Sequence, residues 1–400
     1  MRTGYLAAVA SAVASMMLLA SCETIEPSAP VADALLDGLV NGLSNAQSEQ
    51  HQRGDNAFNN QVFTSSSGLG PIFVGTSCGE CHAGDGKGAP FTTLTRFGQS
   101  DTNGNRFLDQ GGPQLQNRAL PGYVPEEIPA GATSAKFTPP IITGLGFIEA
   151  VPDSEILRFA NENVNDTDGI RGHPNFNVIP SFVIPFAYSI PRGGKYLCRF
   201  GKKASVYNLL HQTVNAYNQD IGITSIFEPI DVYSHIAIDP EVRTNTVNDV
   251  VVYLETLKAP IQRSQTDPNV VAGQRLFSSV NCAGCHRTQL TTGYSHIEAL
   301  SNKTFSPLTD LLVHDMGPGL DDHYTEGDAE TSEWRTAPLW GLGLAPISQG
   351  GQYCLLHDGR AHSIEEAILM HGGEAAKIVS RFKRLSPAEQ QQLIAFLESL

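Results

Sequence analysis

Apolar residues recur at three- and four-residue spacings in two parts of the chain, and this spacing predicts α-helices there. The clearest case is the C-terminal segment, where Ser386, Pro387 and Glu389 form a capping sequence ahead of an apolar stripe. The stripe consists of Leu393, Ile394, Phe396, Leu397 and Leu400. The predicted helices are Tyr207–Ile221, Asn245–Leu257, Val270–Phe277, Ser363–Met370 and the helix that follows Ser386.

Glycine, proline and asparagine interrupt the helical pattern over residues 98–146, which predicts long loops in the first half of the chain. A polar linker at Gln262–Asn269 separates the two helical regions. We therefore expect four parts: a signal peptide over 1–21, a tether with one surface helix over 22–60, an N-terminal domain with long loops over 61–262 and a C-terminal domain over 263–400.

The N-terminus has the pattern of an export signal. Arg2 precedes an apolar run over Tyr5–Leu19, which has the length of a signal h-region and is too short and too interrupted for a membrane-spanning helix. The run ends in Leu-Ala-Ser-Cys22, which is similar to the acylation site of bacterial lipoproteins, and Glu23 favours sorting to the outer membrane. We expect a lipid anchor on Cys22, with the protein facing the periplasm; the alternative is an ordinary signal peptide cut nearby.

Charge narrows the possible partners. The chain has 26 Lys and Arg against 41 Asp and Glu, a net charge of −15, which would be repelled by nucleic acid. The acidic surface is either simply solubilising or attractive to a basic redox partner. No second apolar run is long enough to span a bilayer, so the lipid anchor is the expected membrane contact.

Two copies of Cys-x-x-Cys-His, at Cys78–His82 and Cys282–His286, point to the chemistry. In c-type haem attachment, the two thiols add to the porphyrin vinyl groups and the adjacent histidine becomes an axial iron ligand. Structural zinc and a redox dithiol are the alternatives, but neither requires a histidine after each second cysteine, and about 200 residues separate the two pairs. The motifs predict two covalent haems, and thioether formation outside the cytoplasm agrees with the export signal.

Seven cysteines are present, and two remain after the haem thiols and Cys22 are assigned. These are Cys198 and Cys354, which could form a disulfide in an oxidising compartment. The alternative is a pair of buried free thiols. Asn161–Gly172 is rich in Asp, Asn and Gly, and we interpret it as a solvated turn, with calcium binding as the alternative.

Several segments together resemble the bacterial di-haem oxidoreductase family, which is related to the di-haem cytochrome c peroxidases and to the di-haem enzymes of methylamine dehydrogenase maturation. The resemblance covers roughly residues 60–400. Pro139–Gly146 also resembles Ala337–Gly343, which suggests duplication of one haem unit. The segments that carry the family resemblance are Gly68–Phe73, His314–Gly317, Glu333–Gly343, Leu356–Ala361 and Glu365–Ala375.

The resemblance implies a mainly α fold of two cytochrome c-like domains with the haems near their interface, together with a peroxidase activity. His82 and His286 are then the proximal ligands. His371 occupies the position of the peroxidases' distal methionine and is expected to be the sixth ligand of the second haem, with Met316 as the alternative. The first haem would react with peroxide, with Glu149 and His357 as catalytic candidates and Arg360 as a partner of a haem propionate.

The expected reaction is the reduction of hydrogen peroxide with electrons from a small cytochrome c or cupredoxin. The alternatives are oxidation of a protein or thiol substrate, and a two-haem electron carrier without enzymatic activity. His173 or His211 would block peroxide if either ligated the first iron. The resemblance also raises the possibility of a calcium ion between the domains.

Overall fold

Helices and long loops make up most of the chain, and every strand is short. The structure is a computed structural model and describes residues 31, 34, 36–99 and 105–400. The helices are α1 Asn45–Asn59, α2 Cys78–Cys81, α3 Leu145–Glu149, α4 Asp153–Asn163, α5 Leu209–Asn215, α6 Thr244–Thr256, α7 Pro268–Ser279, α8 Ala345–Ser348, α9 Ile364–Met370, α10 Ala376–Phe382 and α11 Pro387–Ser399. The mainly α fold class predicted from the sequence is confirmed.

The strands form five antiparallel pairs within the described residues. None of these strands is longer than four residues, so the strand pairs hold loops together and do not form a layer of the core. The pairs are β1 Ile72–Phe73 with β3 Arg118–Ala119, β2 Leu94–Phe97 with β4 Ser134–Phe137, β5 Phe176–Asn177 with β6 Tyr196–Leu197, β7 Leu290–Thr291 with β8 Thr304–Phe305, and β9 Val313–Asp315 with β10 Glu333–Arg335.

Two close helix crossings organise the fold, α1 on α6 and α7 on α11. In each crossing a glycine of the first helix meets the backbone of the second. A methyl group at Gly54 would overlap the carbonyl oxygen of Asp249, and one at Gly273 would overlap that of Gln392. The helices can approach this closely only because glycine has no Cβ.

A second correspondence lies in the two Gly-Leu-Gly turns. Gly144 (φ 72°, ψ 8°) precedes α3, and Gly341 (φ 70°, ψ 7°) precedes a short 3-10 turn over Leu342–Leu344. Both are left-handed, a conformation that glycine adopts without strain. Gly146 packs on the last turn of α6 and Gly343 on the last turn of α11. The resemblance between these two segments therefore extends to backbone geometry and to packing against the equivalent helix.

The predicted helix over Tyr207–Ile221 is more complex than the apolar pattern suggests. It begins as α5, capped by Asn208, and continues as a π-helical turn over Ala216–Asp220. The other predicted helices agree with α6, α7, α9 and α11 within a few residues. The predicted capping box is present at Ser386, whose hydroxyl accepts from the Glu389 backbone while the Glu389 carboxylate accepts from the Ser386 backbone.

The apolar clusters of the core can be compared with the predicted boundary between the two domains. One cluster contains only residues beyond 269, including Phe277 and Phe396, and another only residues before 248, including Phe63 and Val247. The largest cluster joins residues from both parts, and residues 33–400 form one compact unit. The boundary at 262/263 stays a prediction.

The disulfide predicted between Cys198 and Cys354 is not formed, because both residues are free thiols. Cys198 packs in an apolar cluster with Val183 and Tyr207, and the backbone N–H of Cys354 donates to the side chain of Gln349. The export segment and Cys22 lie outside the described residues. No helix in the described part of the chain combines the length and the apolar character needed to cross a membrane.

Candidate functional site

One large, mainly apolar cavity connects the two Cys-x-x-Cys-His motifs. Its empty space is about 3400 Å³, a figure that includes open solvent at the mouth. All six motif residues line it: Cys78, Cys81, His82, Cys282, Cys285 and His286.

The two motifs share a local geometry. The His82 backbone N–H donates to the Cys78 carbonyl at 3.0 Å, and the His286 N–H donates to the Cys282 carbonyl at the same distance. An aromatic ring from a crossing helix lies near each imidazole, Phe58 at 5.8 Å from His82 and Phe277 at 6.4 Å from His286 between ring centroids. The helix crossings thus position each imidazole in the cavity wall.

Both imidazoles suit metal ligation. Burial lowers the pKa of His82 and of His286 to about 4, so each is neutral near pH 7. His286 Nδ1 lies 2.9 Å from the Leu308 carbonyl oxygen, to which it donates. Such a bond fixes the tautomer and leaves Nε2 for a metal.

The thiols fit haem attachment better than zinc binding. Burial raises the pKa of Cys78, Cys81 and Cys282 to about 12, so each is a protonated thiol at neutral pH. Among the described residues, the one group of three or more potential metal ligands is Cys285, Asp310 and His314, so neither motif forms a four-ligand zinc site. The residues present therefore fit two haems.

His371 lies in the cavity wall near His286. It ends α9, and its Nδ1 donates to the Ala367 carbonyl at 2.6 Å, which leaves Nε2 for a ligand. Burial lowers the pKa of His371, and the imidazole is close enough to lower that of His286 as well. Met316 also lines the cavity and packs against the apolar cluster that contains Trp334, so the assignment of His371 as the sixth ligand, with Met316 as the alternative, stays a prediction.

The wall beside the first motif is polar. The π-helical turn places Gln219 and Asp220 there, and the Asp220 carbonyl accepts from the Val74 and Gly75 N–H groups just before the motif. Burial raises the pKa of Asp220 to about 7, against the opposing field of Arg96. The Arg96 guanidinium pairs with Glu326 at 2.7 Å and donates to Gln219 Oε1 at 3.4 Å. Insertions of this π type are common at functional sites.

Glu149 is buried but does not line the cavity. Its Oε1 accepts from the Leu209 N–H at 2.7 Å, and burial and the neighbouring Glu255 carboxyl hold its pKa well above the usual range. His173 pairs with Glu333, and His211 Nδ1 accepts from the Tyr207 N–H; neither imidazole lines the cavity. The structure thus brings none of these three side chains to the motifs, and a catalytic role for Glu149 stays a prediction.

His357 lines the cavity between the two halves of the site. Its ring stacks on Trp334 at 3.6 Å with 7° between the planes, and its Nε2 bonds to Asp322 at 2.8 Å. The Trp334 indole N–H donates to the Leu320 carbonyl, so this pair is rigid. The catalytic role of His357 stays a prediction.

Arg360 is engaged by the protein itself. Its guanidinium pairs with Asp358 at 2.5 Å and with Asp322 at 3.2 Å, and Arg360 is absent from the described lining of the cavity. In the Asn161–Gly172 segment, which we interpreted as a solvated turn, Asp168 is held by Arg381 and by the Asn281 amide. The contact of Arg360 with a haem propionate and the calcium ion both stay predictions.

His314 is a cavity residue whose role the sequence did not reveal. Its Nδ1 bonds to Glu374 at 2.8 Å and its Nε2 to Asp310 at 2.9 Å. Burial alone would lower the pKa of His314, but Asp310 and the Cys285 thiol raise it well above the ordinary value. With both nitrogens occupied, His314 is a fixed cation beside Cys285 and is not free to ligate iron.

The comparisons with known proteins decide the family. A family model described as "Di-haem oxidoreductase, putative peroxidase" matches residues 131–400, which is more than half of the chain. The chain belongs to the di-haem oxidoreductase family. This di-haem oxidoreductase has its second Cys-x-x-Cys-His motif inside the matched range and its first motif before it. No curated protein matches the chain.

Two solved structures match the chain at low similarity. Kuenenia stuttgartiensis hydrazine synthase is 13% identical, with a TM-score of 0.37, covering 94% of this chain and 98% of its own. The diheme peroxidase BthA from Burkholderia thailandensis is 14% identical, with a TM-score of 0.41, covering 88% of this chain and 86% of its own. Both similarities are too low to extend the function of either protein to this chain.

Proposed function

We propose that this di-haem oxidoreductase reduces hydrogen peroxide to water at the haem on Cys78 and Cys81. Electrons from a small cytochrome or cupredoxin would enter through the haem on Cys282 and Cys285. The observation that supports this assignment is the difference between the two walls. The second motif faces a free imidazole nitrogen, that of His371, whereas the wall beside the first motif is built from Arg96, Gln219 and Asp220.

The histidines would hold the two irons through Nε2, with His371 closing the second site to external ligands. A haem held by Cys78, Cys81 and His82 would supply the redox chemistry for peroxide reduction. The overall reaction consumes two electrons and two protons and yields two water molecules, so the protein must deliver protons as well as electrons.

Asp220 is placed to move those protons. A carboxyl group whose pKa is about 7 exchanges a proton readily at neutral pH, which is the condition for efficient general acid–base catalysis. Arg96 stays charged beside it and is fixed by Glu326, so it can stabilise negative charge that develops on the departing oxygen. Asp220 takes the role that the sequence suggested for Glu149, because it lines the cavity and Glu149 does not.

The remaining proposals concern location. We propose that the chain is a lipoprotein, anchored through Cys22 to the outer membrane and facing the periplasm, where c-type haems are attached. Labelling of the cells with a radioactive fatty acid should mark the wild-type protein, while the C22A variant should be unlabelled. Labelled C22A protein would contradict the anchor.

Steady-state peroxide consumption tests the activity. The purified holoprotein, supplied with a reduced small cytochrome c, should consume one peroxide for every two donor molecules oxidised. The variant C78A/C81A, which should keep one covalent haem by pyridine haemochrome assay, should lose this turnover. An inactive wild type with both haems attached would favour the electron carrier, and full activity in C78A/C81A would place the reaction at the other haem.

A further inference from the structure

Besides Arg96, which pairs with Glu326, three further Lys and Arg side chains line the cavity, namely Lys87, Lys202 and Arg335. Their clustering is unexpected in a chain with 15 more acidic than basic residues. Burial lowers the pKa of Lys87 to about 8 and of Arg335 to about 10, and it lowers that of Lys202 well below its ordinary value. We call these three residues the cationic cluster.

Backbone contacts hold the cluster together. The Arg335 N–H donates to the Lys202 carbonyl at 2.9 Å, and the Arg335 Nε donates to the Gly201 carbonyl, also at 2.9 Å. Lys87 lies five residues after His82, and its Nζ donates to the Leu356 carbonyl at 3.4 Å. The Lys202 Nζ has no hydrogen-bond partner in the described part of the chain, and the charges of Lys87 and Arg335 repel it.

No carboxylate of the described residues pairs directly with this cluster. Asp358 is near enough to favour the charged forms of Lys87 and Lys202, but its Oδ2 accepts from the Arg360 Nε at 2.5 Å. Asp310 exerts a similar effect on Arg335, but its carboxylate is hydrogen-bonded to His314. Neither carboxylate is therefore free to neutralise the cluster.

Other buried cations of the chain are compensated. Arg199 pairs with Asp153 at 2.5 Å, Arg96 pairs with Glu326, and the Lys203 Nζ donates to three backbone carbonyls. A cationic group shielded from water is costly without a counter-ion, so a cavity lined by Lys87, Lys202 and Arg335 with no paired carboxylate is suited to an anion from outside the chain.

We propose that Lys87, Lys202 and Arg335 would bind propionate carboxylates of the haems held in this cavity. A guanidinium matches a carboxylate through two parallel hydrogen bonds, and an ammonium adds a compact charge. The positions agree with this role: Lys87 follows the first motif directly, the charge of Lys202 reaches His82, and Arg335 lies within reach of Asp310 near the second motif. The proposal depends on covalent haem, as in the proposed function, but not on peroxide reduction.

The test uses the purified holoprotein and the variants K202M, R335Q and K202R, with the exposed lysine variant K383Q as the matched control. The pyridine haemochrome assay should first give two haems per chain in the wild type. A lower number of haems would contradict the proposed function, independently of the role of the cationic cluster. Resonance Raman spectra should then show shifted propionate-bending bands in K202M and R335Q. Spectroelectrochemistry should show a lower midpoint potential for at least one haem, because a cation near the ring favours the ferrous state.

K202R and K383Q should keep the wild-type bands and potentials. If K202M takes up no haem while K202R takes up two, the positive charge is required for assembly and the proposal is supported. Unchanged bands and potentials in both K202M and R335Q, with both haems attached, would overturn it. A soluble anion is the competing occupant: acetate or phosphate that shifts the wild-type spectra, but not those of K202M, would also overturn it.

Discussion

The two ends of the cavity share a helix crossing and a glycine turn, but different side chains complete each end. At each end a helix that carries Gly-x-x-x-Phe crosses another helix, a left-handed glycine starts the facing turn, and the phenylalanine lies near the motif histidine. The second end then adds His371, whereas the first adds the π-helical turn with Gln219 and Asp220. In the proposed function, the shared parts would position a haem, and the parts that differ would determine whether its iron is open to peroxide.

The largest expected effect concerns Asp220 at the first end. D220N should lower kcat/KM for peroxide by about 10²–10⁴-fold, because asparagine cannot exchange a proton. E149Q should stay within a few-fold of the wild type, because Glu149 does not line the cavity and glutamine copies its shape. Steady-state kinetics on both holoproteins measures the contrast. A large loss in E149Q with normal activity in D220N would return the proton-transfer role to Glu149.

The shared scaffold can be broken at its two glycines. G54A and G273A should each lower the free energy of unfolding by about 3 kcal/mol, because the added methyl group overlaps a backbone carbonyl that has no room to move. G319A is the matched control, since open space surrounds Gly319 and its φ is ordinary. Denaturant titration measures all three. A G273A variant as stable as G319A would show that the crossings are not tight.

The second end of the cavity can be tested by replacing one proposed haem ligand, His371. H371M should raise the midpoint potential of one haem by on the order of 0.1 V and leave the other unchanged, because a thioether ligand favours ferrous iron over ferric iron more than an imidazole does. Spectroelectrochemical titration resolves the two potentials. M316L serves as the control and should leave both as they are; a shift in M316L instead would assign the ligand to Met316.

The pH dependence of the folding stability also distinguishes the first end of the cavity. Burial raises the pKa of Asp220 from 3.8 to about 7, so the folded protein retains a proton that the unfolded chain has released between these values. The stability of the wild type relative to D220N should therefore fall as the pH rises from about 4 to 7 and then level off. Denaturant unfolding across this range checks the trend. A constant difference between the two proteins would show that Asp220 ionises normally.

The motifs, the terminal helix and the echo between the Gly-Leu-Gly turns could be predicted from sequence because each depends on local spacing. The polar wall could not, because Arg96, Gln219 and Asp220 are far apart in the chain and have no common motif. The repeated Gly-x-x-x-Phe pattern at Gly54 and Gly273 is visible in the sequence, but apolar periodicity alone does not reveal it. The disulfide failed because cysteine parity carries no information about distance.

Electron paramagnetic resonance of the ferric holoprotein tests the central claim, that the two ends differ in iron access. The wild type should show one high-spin and one low-spin haem in equal amounts, and H371A should convert the low-spin signal to high spin. Two low-spin haems in the wild type would contradict the account, because the first iron would then already have a protein ligand where peroxide must bind.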